Sequence, residues 1–434
     1  MAKTPAKIEV RSYQVGFGDC FLVSFVYGEK DRRHVLIDFG TTGLPKGKTP
    51  SKHMPKLAQQ IRQDCGGQLT AVVATHRHAD HISGFGTDGR TGNSGTIIRG
   101  LKPKLVMQPW TEDPRAAKNA KHATTGSPRS EKAFVAGLRA MHSVARAVLT
   151  LAARPPAWMG VQLARELRFL GMDNIANKSA IKNLIEMGKA RGASAEWLRH
   201  GSSSRLGRLL PGVKVHVLGP PDLTQTEKIR KQRSRDVDQF WHLLAGPPAL
   251  RARAPLAAGL RRASHGKAAP PEARWFRDRL QNLRGSQVLE IVRSLDAQMN
   301  NTSVILLFEV GRKKLLFPGD AQIENWSYAL EDAPDRKQTR ALLANVDFYK
   351  VGHHGSLNAT PKKLLWEGFR KRGSGRQRLK TALSTMPGKH GKASNNTEVP
   401  RKPLLKALEA ESDLHNTANA KQLKAAELSF TIVV

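Results

Sequence analysis

Thr75-His76-Arg77-His78-Ala79-Asp80-His81 is the stretch on which the reading of this chain turns. It follows directly on the apolar run at residues 71–74, a pattern typical of a buried strand. Three histidines and one aspartate within six residues, held in a tight loop, bring imidazoles and a carboxylate to one point. Those donor types suit Zn2+ and related first-row cations. A loop is required, because a regular helix or strand aims neighbouring side chains apart. The stretch therefore predicts a metal centre holding one or two ions, with Zn2+ expected and Mn2+ the alternative.

Outward from this loop, residues 8–15, 20–27 and 35–39 read as short strands joined by glycine turns. Residues 52–64 have helical spacing and stop at Gly66-Gly67. Strand, helix, strand and then a polar loop is an α/β layout with its chemistry on the loop. Residues 111–290 differ: helical spacing dominates, as at 131–151 and 179–191, and 32 Lys and Arg stand against 14 Asp and Glu. Within that region, 213–218 is a strand candidate ended by Gly219-Pro220-Pro221, and the Ala-, Arg- and Pro-rich stretch 247–274 reads as flexible. Strand patterns return at 303–309, 314–317, 347–351, 382–385 and 428–434. The predicted organisation is an α/β scaffold in two parts, 1–110 and 291–434, split by a basic, mainly helical insertion at 111–290 that contains one scaffold strand near 213–218.

The chain carries 71 Lys and Arg against 36 Asp and Glu, a formal net charge of +35. Such an excess favours a polyanion, DNA or RNA above all, or an anionic membrane surface; the bland alternative is a solvated basic surface. With 39% hydrophobic and 25% charged residues the composition is that of a soluble globular protein. No apolar run is long enough to span a bilayer. The first ten residues lead into a strand-like segment without the apolar core of a signal peptide, so a cytoplasmic location is expected. Cys20 and Cys65 form neither a disulfide framework nor a metal knuckle and read as reduced thiols. Nothing in the pattern specifies an oligomeric state.

The HxHxDH spacing of His76, His78, Asp80 and His81 after an apolar strand resembles the signature of the metallo-β-lactamase superfamily. Three further segments fall in that family's order: Asp38 in Val35-Leu36-Ile37-Asp38-Phe39-Gly40, Asp320 in Phe317-Pro318-Gly319-Asp320, and His353-His354 in Val351-Gly352-His353-His354-Gly355-Ser356. Val15-Gly16-Phe17-Gly18-Asp19, Leu218-Gly219-Pro220-Pro221, Asn301-Thr302-Ser303-Val304 and Lys350-Val351-Gly352-His353 are similar to the hydrolase domain of bacterial ComEC-like competence proteins and to stand-alone enzymes like it. The resemblance covers residues 8–110, 213–221 and 298–408. It implies a four-layer αββα sandwich. His76 and His78 would serve one metal, Asp80 and His81 a second, and Asp320 would bridge them, with His353 completing the second site and His354 left as a substrate or supporting group. Asp38 would brace the metal loop. Asp19, in its glycine-rich turn, reads either as a further brace or as a turn former.

Two departures from the family pattern stand out. Where most members carry another histidine some twenty residues before the bridging aspartate, this chain has Leu295-Asp296-Ala297-Gln298-Met299-Asn300-Asn301. Asn301 is the nearest substitute, although a turn role suits it better. A late His-Pro is replaced by Val399-Pro400, which leaves His390 as the candidate stand-in. His216 falls inside a strand pattern and reads as structural.

The donor set implies a metal-dependent hydrolase in which an activated water is the nucleophile, Asp80 or Asp320 orients it and accepts its proton, and charge on a phosphoryl or carbonyl oxygen is stabilised. The expected activity is a phosphodiesterase or nuclease on DNA or RNA, with Arg251, Arg253, Arg261, Arg262 and Lys267 receiving the polyanion. The alternatives are a hydrolase of small phosphoesters or lactones, such as a phosphocholine esterase or a cyclic-nucleotide phosphodiesterase, and a polyanion-binding protein with a degenerate site.

Overall fold

The structure, a computed structural model, describes residues 3–90, 92–115, 178–226, 299–375, 377–391, 398–419 and 427–434. Its strands are β1 (Lys7–Tyr13), β2 (Phe21–Val26), β3 (Arg32–Ile37), β4 (Ala71–Val73), β5 (Leu105–Pro109), β6 (Ser194–Leu198), β7 (Val213–Gly219), β8 (Ile305–Val310), β9 (Lys313–Phe317), β10 (Phe348–Lys350), β11 (Lys380–Leu383), β12 (Asp413–Asn416) and β13 (Glu427–Val433). They form two sheets, ordered β13-β1-β2-β3-β4-β5-β6 and β12-β11-β10-β9-β8-β7. Each sheet is part antiparallel and part parallel. The change comes at β3, which pairs antiparallel with β2 and parallel with β4, and at β9, which pairs antiparallel with β8 and parallel with β10.

Why the sheets stack follows from the two-residue period of a strand, which sends alternate side chains to opposite faces. In β2, Phe21, Val23 and Phe25 enter one apolar cluster and Leu22 another. In β8, Leu306 and Phe308 join the first cluster while Ile305 and Leu307 join a third. The shared cluster is the core between the sheets, where Phe25 meets Phe308 at 5.5 Å and Phe21 meets Phe317 at 6.0 Å between ring centroids. Helices cover the outer faces. Pro50–Asp64 and Lys178–Lys189 bury Met54, Leu57, Ile61, Leu184 and Met187 on the first sheet. Ile323–Ser327, Arg336–Ala344 and Lys402–Glu411 bury Trp326, Leu343, Leu404 and Leu408 on the second. The result is an α/β sandwich of four layers, helix, sheet, sheet and helix.

On β1, Glu9 is ion-paired with Lys7, Arg11 and Arg32. No helix among the described residues is long and apolar enough to cross a membrane.

The strand expectations fall within two or three residues of the elements found. Within 111–290, β7 is the scaffold strand expected near 213–218 and forms an edge of the second sheet, while the helix Lys178–Lys189 and β6 also belong to the sandwich, β6 as an edge of the first sheet. The residues expected to be helical at 131–151 and flexible at 247–274 lie outside the described residues.

His34 illustrates how the core handles a polar group. It is 5% exposed, its Nδ1 lies 2.8 Å from Ser24 Oγ, and its backbone bonds Thr70. Burial, reinforced by the Arg32 and Arg11 charges and opposed by Glu9 and Asp64, pushes its pKa down to about 4. The unfolded chain, with an ordinary histidine near 6.5, thus binds the proton more readily. Stability from this site is fully present above about pH 6.5 and is lost as the pH falls towards 4. Between pH 7 and pH 5 the loss is about 2 kcal/mol. Urea unfolding of His34→Asn at those two pH values should show a pH-dependent loss smaller than wild type by about that amount; equal losses would show that His34 does not titrate this way.

Candidate metal centre

Where the parallel strands of both sheets end, their following loops meet. β3 delivers Asp38, β4 delivers Thr75 to His81, β9 delivers Asp320, and β10 delivers His353 and His354. Open α/β sheets place ligands at the carboxyl ends of strands, where strand direction or order switches, and β3 and β9 are those points here. Gly40 permits the close approach: a Cβ there would sit 2.5 Å from the backbone of Asp80 and His81. Phe39 N–H then donates to His81 O at 2.8 Å and Asp19 N–H to Asp80 O at 2.9 Å, fastening the loop to the first sheet.

Side chains here form overlapping groups with ligand atoms within 4.8 Å of one another: Asp80, His81, Asp320 and His354; His76, His78 and Asp80; and, behind His81, Asp19 and Asp38 with it. All are 0–2% exposed. In the first group His81 Nε2 lies 3.0 Å from Asp320 Oδ2 and 3.8 Å from Asp80 Oδ1, and His354 Nε2 lies 2.8 Å from Asp80 Oδ2 and 3.6 Å from Asp320 Oδ2. In the second, His76 Nε2 and His78 Nδ1 are 3.0 Å apart. Donor atoms that share one tetrahedral ion are separated by about 3.3 Å, so these spacings suit cation ligands.

The tautomers fit the same purpose. His81 Nδ1 faces Asp38 Oδ2 at 2.8 Å and His354 Nδ1 faces the Ser384 carbonyl at 2.9 Å. Each Nδ1 partner is an acceptor, so each Nδ1 carries a hydrogen and each Nε2 is turned to the centre, where a cation would replace the proton that the facing Asp320 and Asp80 carboxylates attract. Asp38 also accepts from Thr75 N–H at 2.7 Å and Thr75 Oγ1 at 2.8 Å. Asp80 Oδ1, Asp320 Oδ2 and His81 Nε2 are buried and make no hydrogen bond. Buried carboxylate oxygens in that condition are costly unless a cation compensates them. These His and Asp groups can hold a metal ion, and their chemistry matches one.

Electrostatics within the cluster run the same way. Burial works to raise the pKa of Asp320, but His81, Lys350 and His354 outweigh it and hold the carboxyl well below its usual range. Burial works to lower that of His81, but Asp320, Asp80 and Asp38 reverse it. Burial, aided by His81 and His78, pushes His76 well down, so it stays neutral and competent as a ligand. Backbone strain gathers here too. Of five non-glycine residues with positive φ among those described, Asp38, His353 and His354 are at the centre; such conformations cost of order 1–3 kcal/mol each and concentrate at functional sites.

Most of the expected residues converge, and His353 and His390 do not take the expected role. His354, rather than His353, joins the four-group cluster. His353, in the left-handed turn before it, keeps a side chain 22% exposed with Nε2 3.8 Å from Asp320 Oδ2, at the mouth of the centre. Asn301 donates from Nδ2 to Glu324 Oε2 at 3.1 Å and its backbone carbonyl accepts from Asn325 Nδ2 at 2.9 Å, which places it in the turn role expected of it. His390 pairs with Val399 and lies 6.4 Å from the Phe17 ring, which itself stands 4.5 Å from His354; it enters none of the ligand groups. Asp19 lies behind the ligands, 3.7 Å from both His81 Nδ1 and His354 Nδ1. His216 pairs with Glu309 at 3.0 Å on β7 and β8, a structural histidine. Arg251, Arg253, Arg261, Arg262 and Lys267 lie outside the described residues.

Three supporting residues carried no sequence role. Arg77, between the two ligand histidines, turns away to make a two-pronged ion pair with buried Glu112, its Nε donating at 2.8 Å. Ser384 fixes His354. Lys350 ends β10 as a buried cation, and the one hint of it was a lysine within the apolar run Phe348-Tyr349-Lys350-Val351.

No protein-family model matches this chain, and no curated protein matches it.

Asp38→Asn keeps the left-handed backbone, which Asn tolerates as well as Asp, but replaces one accepting oxygen with an NH2 group. The His81 ring then loses its fixed tautomer, and affinity for Zn2+ should drop about 10- to 100-fold. Equilibrium dialysis measures this, with circular dichroism to establish that the fold is kept. Wild-type affinity in a folded variant would contradict the bracing role.

Proposed function

We propose that the protein is a metal-dependent hydrolase of the metallo-β-lactamase type, ComEC-like in its motifs, that cleaves phosphodiester bonds in DNA or RNA. The observation that carries the hydrolase reading is the meeting of Asp80, His81, Asp320 and His354 from three separate loops at one buried point, with His76 and His78 alongside. The imidazole-rich donor set favours Zn2+. A divalent ion bound there supplies Lewis acidity, making water a better nucleophile near neutral pH and neutralising charge that builds on a phosphoryl oxygen.

The chain's own residues supply the rest. Asp80 Oδ1 and Asp320 Oδ2, which make no hydrogen bonds, are aimed to orient the attacking water and take its proton. Asp38 and the Ser384 carbonyl hold the His81 and His354 imidazoles in position, and the Arg77–Glu112 pair anchors the loop between His76 and His78, so little reorganisation is needed during reaction. His353, at the mouth with Nδ1 making no hydrogen bond, is kept neutral by burial, which pushes its pKa down to about 3, and is placed to hydrogen-bond the phosphoryl group.

The choice of nucleic acid rests on charge. A net +35 gives a polyanion a strong, salt-sensitive attraction that a small ester does not need.

Asp320→Asn should abolish turnover while leaving the fold intact, and chelation of wild type should do the same reversibly on adding Zn2+ back. Activity is read on single-stranded DNA, double-stranded DNA, RNA and bis(p-nitrophenyl) phosphate. An Asp320→Asn protein with wild-type turnover would overturn the mechanism, and cleavage of the small diester alone would move the substrate to a small phosphoester or lactone.

Binding to a labelled oligonucleotide, followed by fluorescence anisotropy, should weaken with log K linear in log salt. Neutralising Arg251, Arg253, Arg261, Arg262 and Lys267 together should flatten the slope. Absence of binding at low salt would refute the nucleic-acid assignment.

A further inference from the structure

Lys350 ends inside the protein, 2% exposed. An ammonium group has three hydrogens, and three acceptors surround this one: the Gly319 carbonyl at 3.0 Å, Asp320 Oδ1 at 3.3 Å and the Asp19 carboxylate in a close ion pair. Burial works to lower its pKa, but Asp19 and Asp320 reverse that and keep it charged. Lysine is almost never fully buried unless paired. Nothing in the hydrolytic scheme above uses this cation.

Its effect falls on Asp320. Oδ1 of that residue accepts from Lys350 and also from His353 N–H at 3.1 Å, so both of its lone-pair directions are committed. Oδ2 makes no hydrogen bond and faces His81 Nε2 at 3.0 Å and His354 Nε2 at 3.6 Å. A carboxylate held in this way offers one oxygen to the metal centre. Freed from Lys350, it could turn and chelate through both, filling a coordination position that water or substrate needs.

We infer that Lys350, seated by Asp19, is a positioning residue that restricts Asp320 to one metal-ligating oxygen and, through its fixed positive charge, holds metal affinity below what the surrounding carboxylates would give. The inference rests on the metal-centre reading above. Asp19, Asp38, Asp80 and Asp320 are all buried at the centre, and Lys350 is the buried cation among them. A divalent ion entering beside an ammonium meets repulsion that solvent hardly screens. The pair thus exchanges metal affinity for an open coordination position.

Two substitutions act on the pair with opposite signs. Lys350→Met keeps the length and removes the charge and its hydrogen bonds. Asp19→Asn keeps the volume and leaves the ammonium with Asp320 as its anionic partner. Zn2+ dissociation constants come from competition with a chromophoric chelator, and stoichiometry from elemental analysis. Lys350→Met should bind Zn2+ tighter by about tenfold or more, and Asp19→Asn weaker by about tenfold. The double variant should fall between the singles, and kcat of Zn2+-saturated Lys350→Met should drop. A purely structural pair would lower the unfolding temperature of both variants and leave their Zn2+ affinities at the wild-type value; that outcome overturns the inference. If Lys350→Met does not fold, Asp19→Asn decides alone, and unchanged or tighter Zn2+ binding overturns it. A wild-type protein that binds no divalent ion removes the metal-centre reading and this one with it, whereas Zn2+ binding with unshifted variants removes this one alone.

Discussion

Four carboxylates and four imidazoles share one interior space at the ends of β3, β4, β9 and β10, and keeping that much polarity dry is the constraint that orders the surrounding structure. Each group that is not aimed at the centre is given a partner. Asp38 takes the Thr75 backbone and hydroxyl and the back of His81, His354 takes the Ser384 carbonyl, and Asp19 takes Lys350. What remains unbonded points inward. The selection of which atoms stay unsatisfied is the information the fold contributes, since a buried polar atom without a partner is expensive.

The same constraint explains why the centre lies between two sheets. No single loop could supply acceptors for this many ligands, because neighbouring residues on a loop compete for the same backbone groups. With His76 to His81 from one sheet and Asp320, His353 and His354 from the other, each half provides supports for its own ligands. The strained turn at His353 and His354 is held by Asp320 through His353 N–H and by the Ser356 N–H to His353 O bond. Strain on one loop is thus carried by ligands of the next.

Much of this was legible in the sequence, for identifiable reasons. His76, His78, Asp80 and His81 are local, so spacing alone reveals them, and strands such as β2 and β8 announce themselves by unbroken apolar runs. β5, β6 and β12 were not recognised. β5 is bracketed by Pro103 and Pro109, β6 is a half-buried edge strand with Glu196 in its middle, and β12 alternates polar residues. The choice between His353 and His354 depends on which side of a left-handed turn faces inward, and adjacent identical residues carry no pattern that says so. Asn301 has the right position along the chain for a ligand and the wrong neighbour, Glu324, which only folding brings near. Lys350 was invisible for a related reason: its two anionic partners come from the first and second sheets, and a lone lysine in a strand ordinarily means a surface.

Pairing of β1 with β13 has a consequence for how the protein is made. Lys7 lies opposite Val433 and Tyr13 opposite Glu427, so the open side of β1 is closed by a segment that leaves the ribosome long after it. During synthesis β1 can pair with β2, and β2 with β3, at once, but the other edge of β1 waits, displaying unpaired amides and carbonyls. Lys7, Glu9 and Arg11 sit along that edge strand, and such charges discourage a second nascent chain from adding there. The ion pairs around Glu9, modest in their effect on the finished fold, would then act mainly as a guard during translation.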